Sequence, residues 1–171
     1  ADLKKSTAFV KRLKAVTREG LAQCIRDVGS LKLNKYLEEI VDGLVETKYK
    51  AAEVPGVIQL CEALHRAYEG LTPALLSRLK DELSNPVPTG DKDAIKRRRI
   101  ICRLLIELKE AGIHCEDEFL CRYLHTLAGK SRAEGGSGAK ASPVDLAGLT
   151  TFAKYGAEIL LGYTPSSIAL L

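Results

Sequence analysis

One tripeptide, Gly129-Lys130-Ser131, has the residues that end a phosphate-binding loop. In such a loop a strand leads into the glycines, and another glycine lies five residues before the final one. Position 124 is a leucine, and the residues before Gly129 have the apolar spacing of a helix. The tripeptide therefore does not predict a nucleotide-binding site.

Cysteine and histidine at helical spacing are the side chains here that could bind a metal. Cys121 and His125 are four residues apart, and His114 and Cys115 precede them. No two cysteines have the two-residue spacing typical of structural zinc sites, and cysteine is commonly buried as a small apolar side chain. We expect these residues to pack and the protein to hold no metal and no cofactor.

Cys61 and His65, also four residues apart, could form a nucleophile and its base. Such a pair needs a third group that orients the base, and the sequence offers no evident one. Cys61 also lies on the apolar stripe of its helix, which favours core packing. Neither a serine-histidine-aspartate set nor paired carboxylates stand out. The sequence predicts that the protein is not an enzyme.

Four consecutive cations, residues 96–99, lie at the start of a strongly apolar helix. The helix dipole already makes that end positive, so this placement is unfavourable. Arg103 follows on the same polar strip, where Glu107 is positioned to pair with it at i,i+4. We expect an acidic partner for the four cations, inside the protein or outside it.

A second group of cations lies on one stripe of the N-terminal helix. A solvated face is the ordinary explanation, and RNA phosphates or an acidic protein surface are the alternatives. If both groups lie on one face, they form a basic strip. Few aromatic residues accompany them, so base stacking is not indicated. The candidate contacts with a polyanion or partner are Lys4, Lys11, Lys14, Arg18, Lys96, Arg97, Arg98, Arg99 and Arg103.

The composition is that of a globular protein. The chain has 171 residues, 46% hydrophobic and 28% charged, with a net charge of +4, enough for one domain with a core. Five cysteines without tight spacing favour reduced thiols over a disulfide framework. No apolar run approaches the roughly 20 residues that span a bilayer. We expect an excised domain of a cytoplasmic protein, perinuclear or shuttling to the nucleus.

Apolar residues at helical spacing predict helices along most of the chain and no strand pair. Thr72 is predicted to N-cap a helix with Pro73 in its first turn, Gly112 to end a helix, and Ser142-Pro143 to begin the last one. Residues 129–142, rich in Gly and Ser, are predicted to form a flexible internal loop. The apolar stripes cover residues 9–16, 21–31, 36–45, 57–71, 75–83, 101–108, 119–127 and 146–159.

The helix starts recur at a regular distance. Helices beginning near Asn34, Thr72 and Glu116 are each followed by a partner, which gives helix pairs about 40 residues long. Pairs of this length are typical of α-solenoids, in which neighbouring pairs bury a shared core. We predict an all-α fold, an α-solenoid of antiparallel, HEAT-like helix pairs, with a closed bundle as the alternative.

Two N-terminal stretches, "LKKSTAFVKRLK" (3–14) and "LKLNKYLEEIVDGLVETK" (31–48), resemble the first middle-of-initiation-factor-4-gamma-type domain of the Up-frameshift two family of mRNA decay factors. Residues 60–68 and 72–76 continue the resemblance. Residues 103–113, "RLLIELKEAGI", look like the signature helix of the wider domain class. The resemblance covers nearly the whole chain and loosens after residue 128.

The resemblance implies a single helical-repeat domain over residues 1–171 that lacks the C-terminal helix pairs of the full domain. It implies a non-catalytic scaffold of nonsense-mediated mRNA decay, which presents helical surface to protein partners in an mRNA surveillance complex. The implied partners are proteins of the decay machinery, with the Up-frameshift helicase and exon-junction factors bound through other regions. No membrane or small-molecule substrate is implied. The alternative is a direct RNA-binding module that uses basic clusters at 4–18 and 96–103.

Overall fold

The computed structural model describes residues 2–15, 17–86, 90–113, 117–129 and 145–161. These residues form eight α-helices, one short 3-10 helix and no strand. The chain divides into two compact units, Ala1–Ile113 and His114–Leu171. The helices are α1 (Asp2–Ala15), α2 (Arg18–Val28), α3 (Leu37–Glu46), α4 (Val54–Ala67), α5 (Leu71–Ser84), α6 (Lys92–Glu110), α7 (Asp117–Leu127) and α8 (Leu146–Leu161), and the 3-10 helix (Asn34–Tyr36) precedes α3.

In the first unit each helix packs against the helix two positions later in the chain. α1 packs on α3 and α3 on α5, while α2 packs on α4 and α4 on α6. Successive helices also contact each other, as in α1 with α2 and α5 with α6. This is the arrangement of stacked helix pairs, in which neighbouring pairs share one core. The predicted all-α fold of helix pairs is confirmed.

The predicted apolar stripes form the core of the first unit. Where α1 packs on α3, Gly43 allows a close approach, since a Cβ there would lie 2.5 Å from Cδ2 of the buried Leu13. The side chain of Val16, the last residue of the first stripe, lies outside the described residues. The fully buried large side chains of this unit are Phe9, Leu13, Leu33, Ile40, Leu44, Leu60, Leu64, Leu71, Leu79, Leu83 and Leu105.

The predicted N-cap role of Thr72 is wrong. α5 begins one residue earlier, at Leu71, because the chain already turns at Tyr68, whose carbonyl accepts a hydrogen bond from the Leu71 amide. Thr72 therefore lies within the first turn, where it is buried and its Oγ1 is 2.7 Å from Nδ1 of His65. The hydroxyl ties α5 to α4 and leaves the helix start uncapped by a side chain.

The predicted helix end at Gly112 is confirmed. Gly112 has a φ of +79°, the left-handed conformation that glycine adopts without strain. Its amide donates to the Lys109 carbonyl, and the Ile113 amide donates to the Leu108 carbonyl, each at 3.0 Å. These two bonds are those of a Schellman motif, with Ile113 buried behind it.

In the second unit α7 and α8 pack closely. A Cβ at Gly148 would lie 2.8 Å from Cδ2 of Leu127, and the Asp145 carboxylate accepts a hydrogen bond from the Gly148 amide at the start of α8. Leu146, predicted to lie on the apolar stripe, is 73% exposed, so that part of the prediction is wrong. The predicted start at Ser142-Pro143 and the predicted loop after Gly129 lie outside the described residues.

Candidate functional site

The start of α6 carries acidic groups that partly offset its cations. Asp91 precedes the helix and its Oδ1 accepts hydrogen bonds from the amides of Asp93 and Ala94, at 3.0 and 2.9 Å. A carboxylate in this position interacts favourably with the positive end of the helix dipole. Lys96 is exposed, and its Nζ lies 3.9 Å from an Asp93 carboxylate oxygen, a weak surface pair.

Arg97 donates hydrogen bonds to the C-terminal end of α3. Its guanidinium donates to the carbonyls of Val45 and Glu46, both at 3.0 Å, and reaches the Glu82 carboxylate of α5 at 3.3 Å. The last carbonyls of a helix have no partner within the helix, and that end of the dipole attracts cations. One arginine therefore ties α6 to the ends of two neighbouring helices.

Arg98 and Arg103 make the same kind of contact. A nitrogen of Arg98 donates to the Leu83 carbonyl at 2.6 Å, near the end of α5. Arg103 donates to the Ala51 carbonyl in the α3–α4 connection, and its Nε bonds the Glu107 carboxylate, both at 2.8 Å. The predicted Arg103–Glu107 pair is confirmed. All three arginines thus bond backbone carbonyls inside the protein, and Arg97 and Arg103 also pair with the carboxylates of Glu82 and Glu107. Arg99 is exposed.

The cations of the N-terminal stripe have a different environment. Lys4, Lys11, Lys14 and Arg18 are exposed and form no ion pair within the described residues. Arg12, on the flank of the stripe, instead pairs with Asp27 of α2 at 2.8 Å. The stripe lysines are thus charges that the fold itself does not use.

Two lysines that the sequence analysis did not select extend this stripe. Lys48 and Lys50 lie in the α3–α4 connection and line a depression of about 470 Å³ together with Lys14. Their signal in the sequence is the run "TKYK" directly after a predicted helix. Six lysines of α1 and this connection are exposed, of which Lys5 lies on the flank of the stripe. We call the other five the lysine face: Lys4, Lys11, Lys14, Lys48 and Lys50.

Lys48 also lies between the two predicted groups of cations. It lines a second depression, of about 410 Å³, together with Lys96 and Arg97. This depression has an apolar floor that includes Ile101 and Leu104. The two groups therefore meet at the α3–α4 connection.

The residues considered for catalysis are placed for packing. Cys61 is buried, and burial raises the pKa of its thiol to about 12, so the nucleophilic thiolate is disfavoured. His65 is exposed and its Nδ1 faces Thr72. Burial likewise raises the pKa of the Cys24 thiol to about 11, despite the opposing effect of Arg12. Cys61 and Cys24 are therefore core residues, and His65 takes part in the packing of α4 against α5.

The residues considered for metal or nucleotide binding are exposed or lie outside the described residues, apart from Gly129. Cys121 and His125 are both exposed on α7, while His114, Cys115, Lys130 and Ser131 lie outside the described residues. Within the described ranges no three histidine, cysteine or acidic side chains cluster as metal ligands. No helix in that same part of the chain is long and apolar enough to cross a membrane.

The chain is similar to proteins of one kind in three organisms, although no protein-family model matches it. It is 29% identical over 168 residues to regulator of nonsense transcripts 2 of Homo sapiens, and equally to that of Mus musculus. It is 26% identical over 167 residues to regulator of nonsense transcripts UPF2 of Arabidopsis thaliana. The match covers 98% of the chain but only 13% of the human protein.

A solved structure has the same fold. The crystal structure of the first MIF4G domain of human nonsense mediated decay factor UPF2 matches with a TM-score of 0.70 and 27% sequence identity. The match covers 92% of this chain and 49% of that one. The predicted resemblance is confirmed: the regulators of nonsense transcripts 2 are homologues of this chain, and its fold is that of a MIF4G domain.

Proposed function

We propose that this chain, a homologue of the regulators of nonsense transcripts 2, is a non-catalytic scaffold domain that presents helical surface to protein partners in nonsense-mediated mRNA decay. The observation that carries the proposal is the match to the first MIF4G domain over 92% of the chain. The proposed partners are proteins of an mRNA surveillance complex in the cytoplasm.

The geometry of the first unit supports a scaffold role. Stacked helix pairs bury one stripe of each helix and leave the opposite faces available to other molecules. The thiol that could have served as a nucleophile, Cys61, is 3% exposed and carries a raised pKa. A protein with these properties acts through the surfaces that it presents.

A reporter assay in cells of the source organism tests the proposal. Deletion of residues 1–171 from the protein that carries them should lengthen the half-life of an mRNA with a premature stop codon. The same mRNA without that codon serves as the control and should decay at its normal rate. Unchanged decay of the premature-stop reporter after the deletion would contradict the proposed role.

A single substitution tests whether the proposed scaffold role is non-catalytic. Because Cys61 is a packing residue, Cys61→Ala should destabilise the fold by about 1–2 kcal/mol through the cavity it leaves, yet support normal decay of the reporter. Loss of decay by this variant, with normal abundance of the protein, would indicate a chemical role for the thiol.

Direct RNA binding through residues 4–18 and 96–103 is the second candidate function. The two clusters differ in whether contacts within the fold already engage their cations. The described cations of 4–18, apart from Arg12, form no ion pair within the described residues, whereas Arg97, Arg98 and Arg103 donate to carbonyls of the fold. Only the first cluster therefore favours this function.

A further inference from the structure

We propose that the depression between the α3–α4 connection and the first half of α6 binds a short peptide segment of a partner protein, in which an apolar side chain lies next to an acidic residue. The apolar side chain enters the depression, and the carboxylate contacts Lys48 at its rim. This inference rests on the proposed scaffold role, which it refines by naming a surface and the chemistry of the partner.

The first support is the size and the lining of this depression. Its volume of about 410 Å³ lies within the range of about 300–1,000 Å³ that is typical of ligand sites. Apolar atoms supply most of the surface inside it. The apolar side chains that line it are Val45, Tyr49, Ala94, Ile100, Ile101 and Leu104. An occupant that covers the half-buried Ala94 and Ile100 removes further apolar surface from water, which favours binding.

The second support is that contacts within the fold already hold the walls of the depression together. Arg97 of α6 donates to the carbonyls of Val45 and Glu46 at the end of α3, both at 3.0 Å. Asp91 caps the start of α6 by accepting hydrogen bonds from two of its amides. A site formed before its ligand arrives loses little conformational entropy on binding. The depression can therefore bind a short segment without a rearrangement of the helices.

The third support is the charge at the rim. The Asp91 carboxylate is engaged with the amides of α6, and the Arg97 guanidinium with the carbonyls of α3. Asp93 lies 3.9 Å from Lys96. Lys48 is exposed and forms no ion pair within the described residues. Of the charged groups at this rim, Lys48 is the one whose counter-ion an occupant can supply, so a carboxylate on the peptide complements the site.

The neighbouring depression extends this preference for an acidic segment. Lys48 also lines that depression, together with Lys14 and Lys50. Of the two acidic residues there, Glu53 already accepts a hydrogen bond from the Lys50 amide at 2.8 Å, and Glu46 is the other. Three lysines beside two carboxylates leave a net positive charge next to the proposed site. Electrostatic complementarity therefore favours an acidic peptide over a basic one.

The lining also favours a peptide over a nucleic acid. Protein partners gain most of their binding energy from a few apolar or aromatic side chains that fill a pocket, and this depression offers such a pocket. Single-stranded nucleic acids instead stack their bases on exposed aromatic rings. Tyr49 is the aromatic residue of the lining, and it is 8% exposed, which leaves little ring surface for stacking.

Peptide selection tests the proposal. A phage-displayed library of random dodecapeptides is selected against the 171-residue chain, and the affinity of the selected peptides is measured by fluorescence anisotropy. We expect the selected sequences to place leucine, isoleucine or phenylalanine next to aspartate or glutamate. Replacing that apolar residue of the peptide by alanine should weaken binding at least about 30-fold, as expected for an anchor that fills a pocket.

Substitutions in the chain locate the site. Ala94→Phe fills the depression and should weaken binding at least about 30-fold, whereas Lys48→Glu reverses the charge at the rim and should weaken it about 3- to 10-fold. Ile95→Phe and Lys32→Glu are the matched controls, because both residues are exposed and neither lines the depression. Circular-dichroism melts verify that the variants fold, and Lys48→Glu decides alone if Ala94→Phe does not.

Several results would overturn the proposal. They are a library that yields no binding peptide, selected peptides that lack the apolar or the acidic residue, and unchanged affinity in folded Ala94→Phe or in Lys48→Glu. A labelled oligouridylate that binds where no peptide does, and that Ala94→Phe excludes, would assign the depression to a nucleic acid. The reporter assay tests the scaffold role without reference to this site, so the two proposals fail separately.

Discussion

At the scale of single residues, charge alone did not distinguish the cations that stabilise the fold from those that face solvent. Arg97 and Lys96 are neighbours in the sequence, yet Arg97 bonds two backbone carbonyls of α3 while Lys96 makes one long pair at 3.9 Å. The carbonyls that Arg97 contacts lie 51 and 52 residues away in the chain. No local pattern predicts such a partner, because it depends on how α3 and α6 pack.

Buried thiols are expected to make the free energy of unfolding fall as the pH rises into the alkaline range. Burial raises the pKa of Cys61 from 9.0 to about 12 and that of Cys24 to about 11, and burial also raises the pKa of Tyr49. Above pH 9 the unfolded chain loses these protons while the folded chain keeps them, so ionisation favours unfolding. The stabilisation is complete below about pH 9 and is lost as pH rises towards the folded-state values.

Urea unfolding at about pH 8 and about pH 10 measures this effect. We expect a lower free energy of unfolding at the higher pH, and a smaller decrease in Cys61→Ala, which lacks one of the titrating groups. Equal decreases in the two proteins would show that the Cys61 thiol does not carry this part of the pH dependence.

At the scale of elements, periodicity predicted the helices well because a buried stripe repeats every three to four residues whatever the neighbours are. The residues at which helices begin and end were predicted with mixed success. The helix end at Gly112 was predicted correctly because a left-handed glycine terminates a helix through local contacts alone. The N-cap role of Thr72 was predicted wrongly because its hydroxyl contacts His65 of another helix. The misassigned Leu146 lies at the first turn of α8, where one apolar residue does not establish a face.

Gly43 tests how closely α1 and α3 pack. In Gly43→Ala the new Cβ would lie 2.5 Å from Cδ2 of Leu13, a side chain that is 1% exposed and has little room to move. Overpacking of this kind costs about 1–3 kcal/mol, which exceeds the gain of about 0.5–1 kcal/mol from alanine in a helix. We expect a net loss of about 1–2 kcal/mol in urea unfolding.

Gly29→Ala is the matched control for Gly43→Ala. Gly29 has an ordinary φ of −74°, and nothing lies within 4 Å of a Cβ added there. Alanine at this position should be neutral or stabilise by up to about 1 kcal/mol. If both variants behaved alike, the close approach of Leu13 to α3 would be wrong.

At the scale of the whole molecule, the sequence predicted the fold, the family resemblance and the basic stripe of α1, but not the lysines of the α3–α4 connection that extend this stripe. Homology to the regulators of nonsense transcripts 2 extends over 98% of the chain, which spans 13% of the human protein. The lysine face joins residues of α1 to Lys48 and Lys50, more than 30 positions further along the chain. These residues come together because the α3–α4 connection folds beside Lys14, and no local sequence pattern predicts this.

The central claim is that the arginines at the start of α6 hold the fold together while the lysine face remains available to partners. The free energy of unfolding of two double variants tests it most directly. Arg97→Ala/Arg98→Ala leaves the end carbonyls of α3 and α5 without these charged donors, so we predict a loss of about 2–4 kcal/mol. Lys11→Ala/Lys14→Ala removes exposed charges and should change stability by less than about 0.5 kcal/mol. A similar loss in both variants, or a loss confined to the lysine variant, would contradict the account.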